Sequence, residues 1–91
     1  MDITSYGDGT YQASCDDGYV VYSYDEENDL VGIESIEVSG DRRQGTATYM
    51  INFLLNEYDN AGITNTTPMT DDGYDFFTAY AAKRNVRTVF I

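Results

Sequence analysis

The sequence IESIEVSGDRRQGTATYM, residues 33–50 of the 91-residue chain, is the most informative part about the fold. Its beginning, rich in Ile and Val, completes a strand predicted over residues 30–38, because β-branched side chains favour extended backbone. After a short loop, apolar residues return with helical spacing, at positions 47, 50, 51, 54, 55 and 58. That spacing forms one face of an amphipathic helix, predicted over about residues 46–60. A strand, a loop and a helix therefore follow one another here.

The start of the predicted helix is suited to an anion such as a pyrophosphate. The first N–H groups of a helix lack partners inside it, and the helix dipole favours negative charge at that end. Gly45 allows a ligand to approach the backbone closely, and Arg42 and Arg43 are two of only five basic residues. The loop lacks the Gly-Lys-Ser/Thr of a Walker A loop and the Gly-x-Gly-x-x-Gly of a dinucleotide fold.

The remaining sequence predicts a sheet with helices packed on it. Gly32, inside a predicted strand, indicates a bulge or a close backbone approach. Gly62 is predicted to follow the first helix as its C′ residue, and Thr70 to cap the second, with Asp71 and Asp72 at its positive end. Strands are predicted as a pair within residues 1–13 and over residues 18–24, 30–38, 63–67 and 86–91, and the two main helices over about residues 46–60 and 71–84. This order predicts an α+β fold (α/β layered) with a mixed, mostly antiparallel twisted sheet.

Charge and composition exclude several classes of function. Sixteen acidic residues against five basic ones give a net charge of −11. Such a surface repels nucleic-acid phosphate and attracts cationic partners. The chain has no His and one Cys, Cys15, which excludes His-based triads, zinc sites and an internal disulfide. The sequence shows neither a signal peptide nor a membrane span, so we expect a cytoplasmic protein with no membrane partner.

The motif RRQGTA at residues 42–47 resembles the acetyl-CoA signature of the GNAT superfamily of N-acetyltransferases, Gln/Arg-x-x-Gly-x-Gly/Ala. The longer loop DRRQGTATYM, the apolar strand before it and the amphipathic helix after it are also similar to the family pattern. The resemblance covers residues 18–91 as an acetyl-CoA-binding core, and residues 1–17 are divergent N-terminal strands of the same domain, 1–91. The chain thus resembles a truncated, minimal member of the superfamily, of the kind found in phages and mobile elements.

The resemblance implies acetyl-CoA (coenzyme A) as the cofactor. It implies that the pantetheine arm runs along the strand edge at Ile36 and Val38, with Asn65 on the next, splayed strand bordering its far side. The backbone around the pyrophosphate would be that of Arg43, Gln44, Gly45, Thr46, Ala47 and Thr48.

The resemblance also implies groups for catalysis. A carboxylate serves as the base that takes the proton of the amine, and Glu34 and Glu37 both lie on the relevant strand. In a regular strand the two would point to opposite faces. Phe77 stands where the family has the tyrosine that protonates the thiolate. Tyr80, one turn later, could replace it, and Tyr74, one turn earlier, is an alternative.

The function implied by the resemblance is acetyl transfer to a primary amine. The acceptor would be cationic, either a lysine of a basic protein or a polyamine, with no direct contact to nucleic acid. A homodimer or a docked target is expected to cover apolar surface that the missing N-terminal helices leave exposed.

The acidic, tyrosine-rich composition leaves an alternative open: a non-enzymatic inhibitor or DNA mimic that binds a nucleic-acid-binding protein, as an anti-CRISPR or anti-restriction protein does. No metal site is predicted. Asp25, Glu27 and Asp29 are spaced like the start of an EF-hand, but Leu30 replaces its glycine and Ile36 its final carboxylate.

Overall fold

The computed structural model describes residues 1–39 and 45–90, which form a six-stranded sheet whose order follows the sequence, β1 to β6. β1 to β4 pair antiparallel, whereas β4–β5 and β5–β6 pair in parallel. The α+β class, with a mixed, mostly antiparallel sheet and two helices, is confirmed. The elements are β1 (Asp2–Ser5), β2 (Thr10–Cys15), β3 (Gly18–Asp25), β4 (Leu30–Val38), α1 (Thr46–Glu57), β5 (Gly62–Asn65), α2 (Asp71–Arg84) and β6 (Thr88–Val89).

The core lies between one face of the sheet and the two helices. Burial alternates along β3, where Val20 and Tyr22 are buried and Val21 between them is not, as the period of a strand requires. α1 contributes buried side chains at the predicted helical spacing, among them Met50 and Leu54. The other buried apolar side chains include Ala13, Val31, Ile33, Ile51, Leu55, Ile63, Phe77 and Tyr80.

Helix α2 begins and ends at the predicted residues, Asp71–Arg84. The hydroxyl of Thr70 accepts a hydrogen bond of 3.1 Å from the Gly73 N–H, which satisfies one of the donors at the helix start. Asn85 takes a left-handed conformation with φ 61°, which ends the helix. Local signals of capping therefore determine both ends.

Helix α1 ends at Glu57, so the predicted extension to residue 60 is wrong. Asp59 and Asn60 have positive φ values of 53° and 58°, and the Asn60 N–H donates to the Leu55 carbonyl. These residues terminate the helix, and Gly62 is not its C′ residue. Gly62 is instead the first residue of β5, where a Cβ would lie 2.7 Å from Leu30 Cδ2.

Strand β4 contains a bulge at Glu34. Tyr22 of β3 pairs with Ile33 and Val21 pairs with Ser35, so Glu34 is the extra residue. The bulge lies two residues beyond Gly32, the glycine that indicated a bulge or a close approach. At Gly32 itself the nearest atoms belong to side chains and not to another backbone: a Cβ there would lie 2.9 Å from Thr66 Cγ2 and 3.1 Å from Ser23 Oγ.

The bulge shifts the alternation of β4 by one residue. Before it, the odd-numbered Val31 and Ile33 are buried against the helices. After it, Ile36 pairs with the buried Val20, so the even-numbered Ile36 and Val38 take the helix side. The bulge therefore directs the end of β4 toward the starts of both helices.

The C-terminal strand is shorter than predicted. β6 comprises Thr88–Val89 within the predicted range 86–91, and residue 91 lies outside the described residues. β5 covers Gly62–Asn65 instead of residues 63–67, because Thr66 and Thr67 leave the parallel register with β4. Neither helix in residues 1–39 and 45–90 combines the length and the apolar character needed to cross a bilayer.

Candidate functional site

A cleft opens where β4 and β5 separate. Their parallel pairing ends with Ile33 opposite Asn65. Two further hydrogen bonds hold the mouth of the cleft: the Thr66 N–H donates to the Ile33 carbonyl at 3.1 Å, and the Thr67 hydroxyl donates to the Glu34 carbonyl at 2.8 Å. Beyond this point β4 continues to Val38 with β3 on one side and the cleft on the other.

The end of β4 presents main-chain groups to this cleft. The Ser39 N–H donates to the Asp17 carbonyl at 2.7 Å, so the main chain of Ser39 points toward β3 and its extension. Because successive residues of an antiparallel ladder point to alternate sides, the main chains of Ile36 and Val38 point away from β3. Their N–H and C=O groups are thus positioned to pair with an extended ligand lying in the cleft.

The start of α1 faces the same region without a cap of its own. Gly45, the N-cap residue, is exposed and has a left-handed φ of 77°, a conformation that favours glycine. It has no side chain to accept from the helix N–H groups, and the first turn, Thr46 to Thr48, holds no acidic residue. By contrast, α2 starts with the Thr70 cap followed by Asp71 and Asp72. Within residues 1–39 and 45–90, the helix start without a side-chain cap is therefore that of α1.

These elements enclose two adjoining cavities, which we call the groove. The first, about 230 Å³, lies between the end of β4 and the starts of α1 and α2. The second, about 190 Å³, lies in the cleft between β4 and the segment before α2. Ile36, Thr70, Gly73 and Phe77 line both cavities, so the two adjoin.

The groove brings together many of the predicted cofactor-binding residues. Ile36, Val38, Gly45, Ala47 and Thr48 line its first cavity. The side chain of Thr46 is buried behind them, 8% exposed.

The remaining predicted cofactor-binding residues are Arg43, Gln44 and Asn65. Arg43 and Gln44 lie outside the described residues. Asn65 is buried and lines neither cavity of the groove, and its side-chain amide donates to the Thr67 carbonyl at 2.8 Å. This hydrogen bond from Asn65 therefore stabilises the segment around Thr67, which borders the cleft.

The two predicted carboxylates occupy different positions. Glu34 lines the second cavity of the groove and also a cavity of about 570 Å³ on the face of the sheet remote from the helices. Glu37 pairs with Tyr19, on the same remote face. The expectation of opposite faces for a regular strand does not apply, because Glu34 is the bulged residue.

Tyr80 belongs to a polar network between the two helices. Its hydroxyl donates to Asn52 Oδ1 at 2.6 Å and accepts from the Arg84 guanidinium at 3.3 Å. Burial raises the pKa of Tyr80, and the neighbouring Arg84 opposes that rise. Arg84 also donates to Asn52, Asn56 and Asn60. Tyr80 thus ties α2 to α1 and lines a cavity of about 430 Å³ beside the groove, which shares Thr48 and Phe76 with the groove's first cavity.

Phe77 lines both cavities of the groove, at the position to which the resemblance assigns the family's tyrosine. Tyr74, the alternative, is 51% exposed and makes an edge contact with Phe90. Of the described residues that line the groove, Glu34 and Asp72 are the ionisable ones.

Sequence reasoning missed that the start of α2 forms a wall of the groove. Thr70, Asp72 and Gly73 line its first cavity beside the start of α1. The cap at Thr70 was a local signal for a helix start, but nothing local in the sequence places that start next to α1.

Comparison with known proteins gives a structural likeness. No protein-family model matches the chain, and no curated protein matches its sequence significantly. The fold is similar to a crystal structure of the anti-CRISPR protein AcrVA5. The TM-score is 0.60 and the identity 25%, over 79% of this chain and 81% of the other. The likeness is one of fold, and it extends over about four fifths of this chain.

Proposed function

We propose that this protein binds acetyl-CoA in the groove and transfers its acetyl group to a primary amine of a cationic acceptor, a lysine of a basic protein or a polyamine. One observation carries the proposal: the outward-pointing main chain of Ile36 and Val38 and the uncapped start of α1 line a single cavity. An extended amide-bearing chain ending in a diphosphate matches both features at once, since strand edges bind amides and helix starts bind phosphates.

The residues present fit this cofactor in most respects. Gly45, Ala47 and Thr48 would hold the diphosphate through main-chain N–H groups at the α1 start. Phe76 and Phe77 supply an apolar wall for the arm. The carboxylate of Asp72 lines the same cavity, where it opposes a bound anion. When bound, acetyl-CoA supplies the activated acetyl thioester.

Glu34 is the carboxylate best placed to act as the base. It lines both the cleft and the open cavity on the far face of the sheet, so an amine entering from that face would meet it at the mouth of the cleft. Glu34 takes the proton of the ammonium, directly or through a water molecule. Its position is fixed by the bulge and by the hydrogen bond from Thr67 to its carbonyl.

A second function is supported by other observations. The net charge of −11 suits attraction to a basic protein, and the similar structure is that of an anti-CRISPR protein. Under this second proposal the protein inhibits a nucleic-acid-binding enzyme by direct, cofactor-independent binding. Such binding would need no acetyl-CoA and would weaken as salt rises.

Calorimetry with acetyl-CoA tests the first proposal, and two glycine variants sharpen it. Gly45→Glu places a carboxylate at the start of α1 and should weaken binding at least about tenfold. Gly7→Glu is the matched control, because Gly7 also has positive φ, 81° against 77°, and a Cβ on either glycine meets nothing within 4 Å. Equal affinities in the two variants, or no heat with the wild-type protein, would reject the groove as the cofactor site.

Turnover is tested separately by mass spectrometry of candidate basic proteins and polyamines after incubation with acetyl-CoA. Gain of one acetyl group per modified amine, lost in Glu34→Gln and retained in Glu37→Gln, supports the transferase. Inhibition of a basic enzyme without acetylation supports the second function.

A further inference from the structure

A second pocket, distinct from the groove, lies at the other end of the sheet. Its walls are tyrosine rings and its rim is acidic: Tyr11, Tyr24, Tyr58, Asp25, Glu26 and Glu27 line a cavity of about 480 Å³. We call this the tyrosine pocket. Tyr24 pairs with Val31 near the beginning of β4, whereas the groove lies at Ile36 and Val38. At ~3.3 Å per residue the two sites are separated by roughly 20 Å along β4.

The tyrosine rings form an ordered stack. Tyr24 and Tyr58 are parallel, with ring centroids 4.2 Å apart and an angle of 13° between the planes. Tyr22, buried beneath them, makes an edge contact with Tyr58 and stacks with Tyr11 at 5.7 Å. Tyr11, Tyr24 and Tyr58 are only partly buried, so part of each ring remains accessible.

The charges around the stack are negative. Of the described residues that line the pocket, Asp25, Glu26 and Glu27 are acidic and none is basic. Asp25 is engaged in its own turn, because its carboxylate accepts from the main chain of Glu27 and from Asn28. Glu26 and Glu27 are exposed at the rim. Arg87 donates to the carbonyls of Asn28 and Asp29 in the same turn but does not line the pocket.

The hydroxyls of Tyr22 and Tyr24 keep their protons at neutral pH. A hydrogen bond to Asp29 and burial raise the pKa of Tyr24 to about 12, and burial with the neighbouring Tyr58 raises that of Tyr22 to about 12. The faces of neutral tyrosine rings attract cations. Carboxylates alone attract any cation, but ring faces beside carboxylates suit a planar cation that stacks and forms paired hydrogen bonds.

We propose that the tyrosine pocket binds the guanidinium group of an arginine side chain presented by a basic partner protein. The guanidinium stacks on an accessible tyrosine face and donates to Glu26 or Glu27, a combination that the compact ammonium of lysine does not reproduce. The site does not depend on acetyl-CoA. It gives a partner a docking point separate from the groove.

Nuclear magnetic resonance with labelled tyrosines tests this pocket directly. The probe is N-acetylarginine methylamide, with N-acetyllysine methylamide, whose ammonium group is unmodified, as the comparison, at low salt and without acetyl-CoA. We expect the ring signals of Tyr11, Tyr24 and Tyr58 to shift with saturation on the order of millimolar. The lysine compound should bind at least about threefold more weakly. Unmoved ring signals, or equal binding of the two compounds, would overturn the proposal.

Two pairs of variants separate the site from general charge. Glu26→Gln with Glu27→Gln should weaken arginine binding about fivefold to tenfold. Asp16→Asn with Asp17→Asn removes the same charge from an exposed turn outside the pocket and should change binding less than twofold. If both double variants weakened arginine binding equally, net charge alone would explain the effect and the proposed site would be wrong.

The ring contribution is tested at Tyr24. Tyr24→Leu should weaken binding about fivefold, whereas Tyr24→Phe, which keeps the ring and loses the hydroxyl, should bind within twofold of the wild-type protein. Weak binding by the Phe variant would contradict a role for the ring face. If the Leu variant does not fold, the comparison of the two double variants still tests whether the tyrosine pocket binds arginine.

Discussion

Replacing Tyr80 with Phe distinguishes a structural tyrosine from a catalytic one. The substitution keeps the buried ring, which is 8% exposed, and removes only the hydroxyl that donates to Asn52. Arg84 still donates to the same Asn52 oxygen at 2.9 Å, so that acceptor keeps a partner. The substitution also removes the longer hydrogen bond that the hydroxyl accepts from Arg84 at 3.3 Å, but the same Arg84 nitrogen still donates to Asn52. No partner is orphaned, and the cost is dominated by the bond to Asn52, about 0.5–1.5 kcal/mol.

The expected result follows from that magnitude. A loss of about 1 kcal/mol lowers Tm by about 4–8 °C in a domain of this size. Urea unfolding should show a lower midpoint with an unchanged slope, since the surface exposed on unfolding stays the same. Because Tyr80 does not line the groove, kcat for the proposed acetyl transfer should change by less than about twofold.

Thr78→Ala serves as the control, because Thr78 is exposed on the same helix. It should leave kcat nearly unchanged and should not lower stability, because Ala favours a helix over Thr by up to about 0.7 kcal/mol. The reasoning would be refuted if Tyr80→Phe kept the wild-type Tm while kcat fell about a hundredfold. That pattern would return Tyr80 to the role of the acid that protonates the thiolate.

Three other perturbations test separate features. Thr70→Ala removes the cap of α2 and should lower the unfolding free energy by about 1 kcal/mol, with Thr70→Ser close to the wild type in urea unfolding; equal loss in both variants would contradict the cap. The raised pKa values of Tyr22 and Tyr24, about 12 against 10.0, mean that the native state holds these protons more tightly than the unfolded state. These two tyrosines should therefore leave the free energy of unfolding unchanged below pH 10 and lower it as pH rises from about 10 to about 12. Urea titration at each pH measures this free energy, and a constant value from about pH 10 to about 12 would contradict the raised pKa values. Asp72→Asn removes from the groove a negative charge that repels the diphosphate, and should tighten acetyl-CoA binding about twofold to fivefold in calorimetry. Asp75→Asn, on the same helix but not lining the groove, should leave binding unchanged. Equal gains in the two variants would assign the effect to net charge.

The sequence predicted the elements that are encoded locally. Strand β4 and helix α2 have the predicted bounds, because a run of β-branched residues and a Thr cap with acidic neighbours are both local signals. Five predicted cofactor-binding residues gather in one cavity, since they flank a single strand–loop–helix connection.

Features that depend on pairing between distant residues could not be predicted. The bulge at Glu34 arises from the register of β3 against β4. The place of Tyr80 depends on Arg84 and Asn52, which are 32 residues apart. The end of α1 differs for another reason: the sequence predicts Gly62 as the C′ residue because glycine favours that position, whereas Asp59 and Asn60 take the left-handed conformation in the structure. The GNAT resemblance, the cofactor and the activity stay predictions.

The order of strands in the sheet has a consequence for how the chain folds. β1 to β4 are joined by successive hairpins, each strand pairing with its neighbour in sequence. Such contacts close short loops and form fast, whereas the parallel pairings of β5 and β6 must wait for whole helices to cross over. We therefore expect the first four strands to assemble early, during synthesis, and the groove to be completed last, when both helices dock. Pulse-labelled hydrogen exchange would show amides of β2 and β3 protected before those of β5.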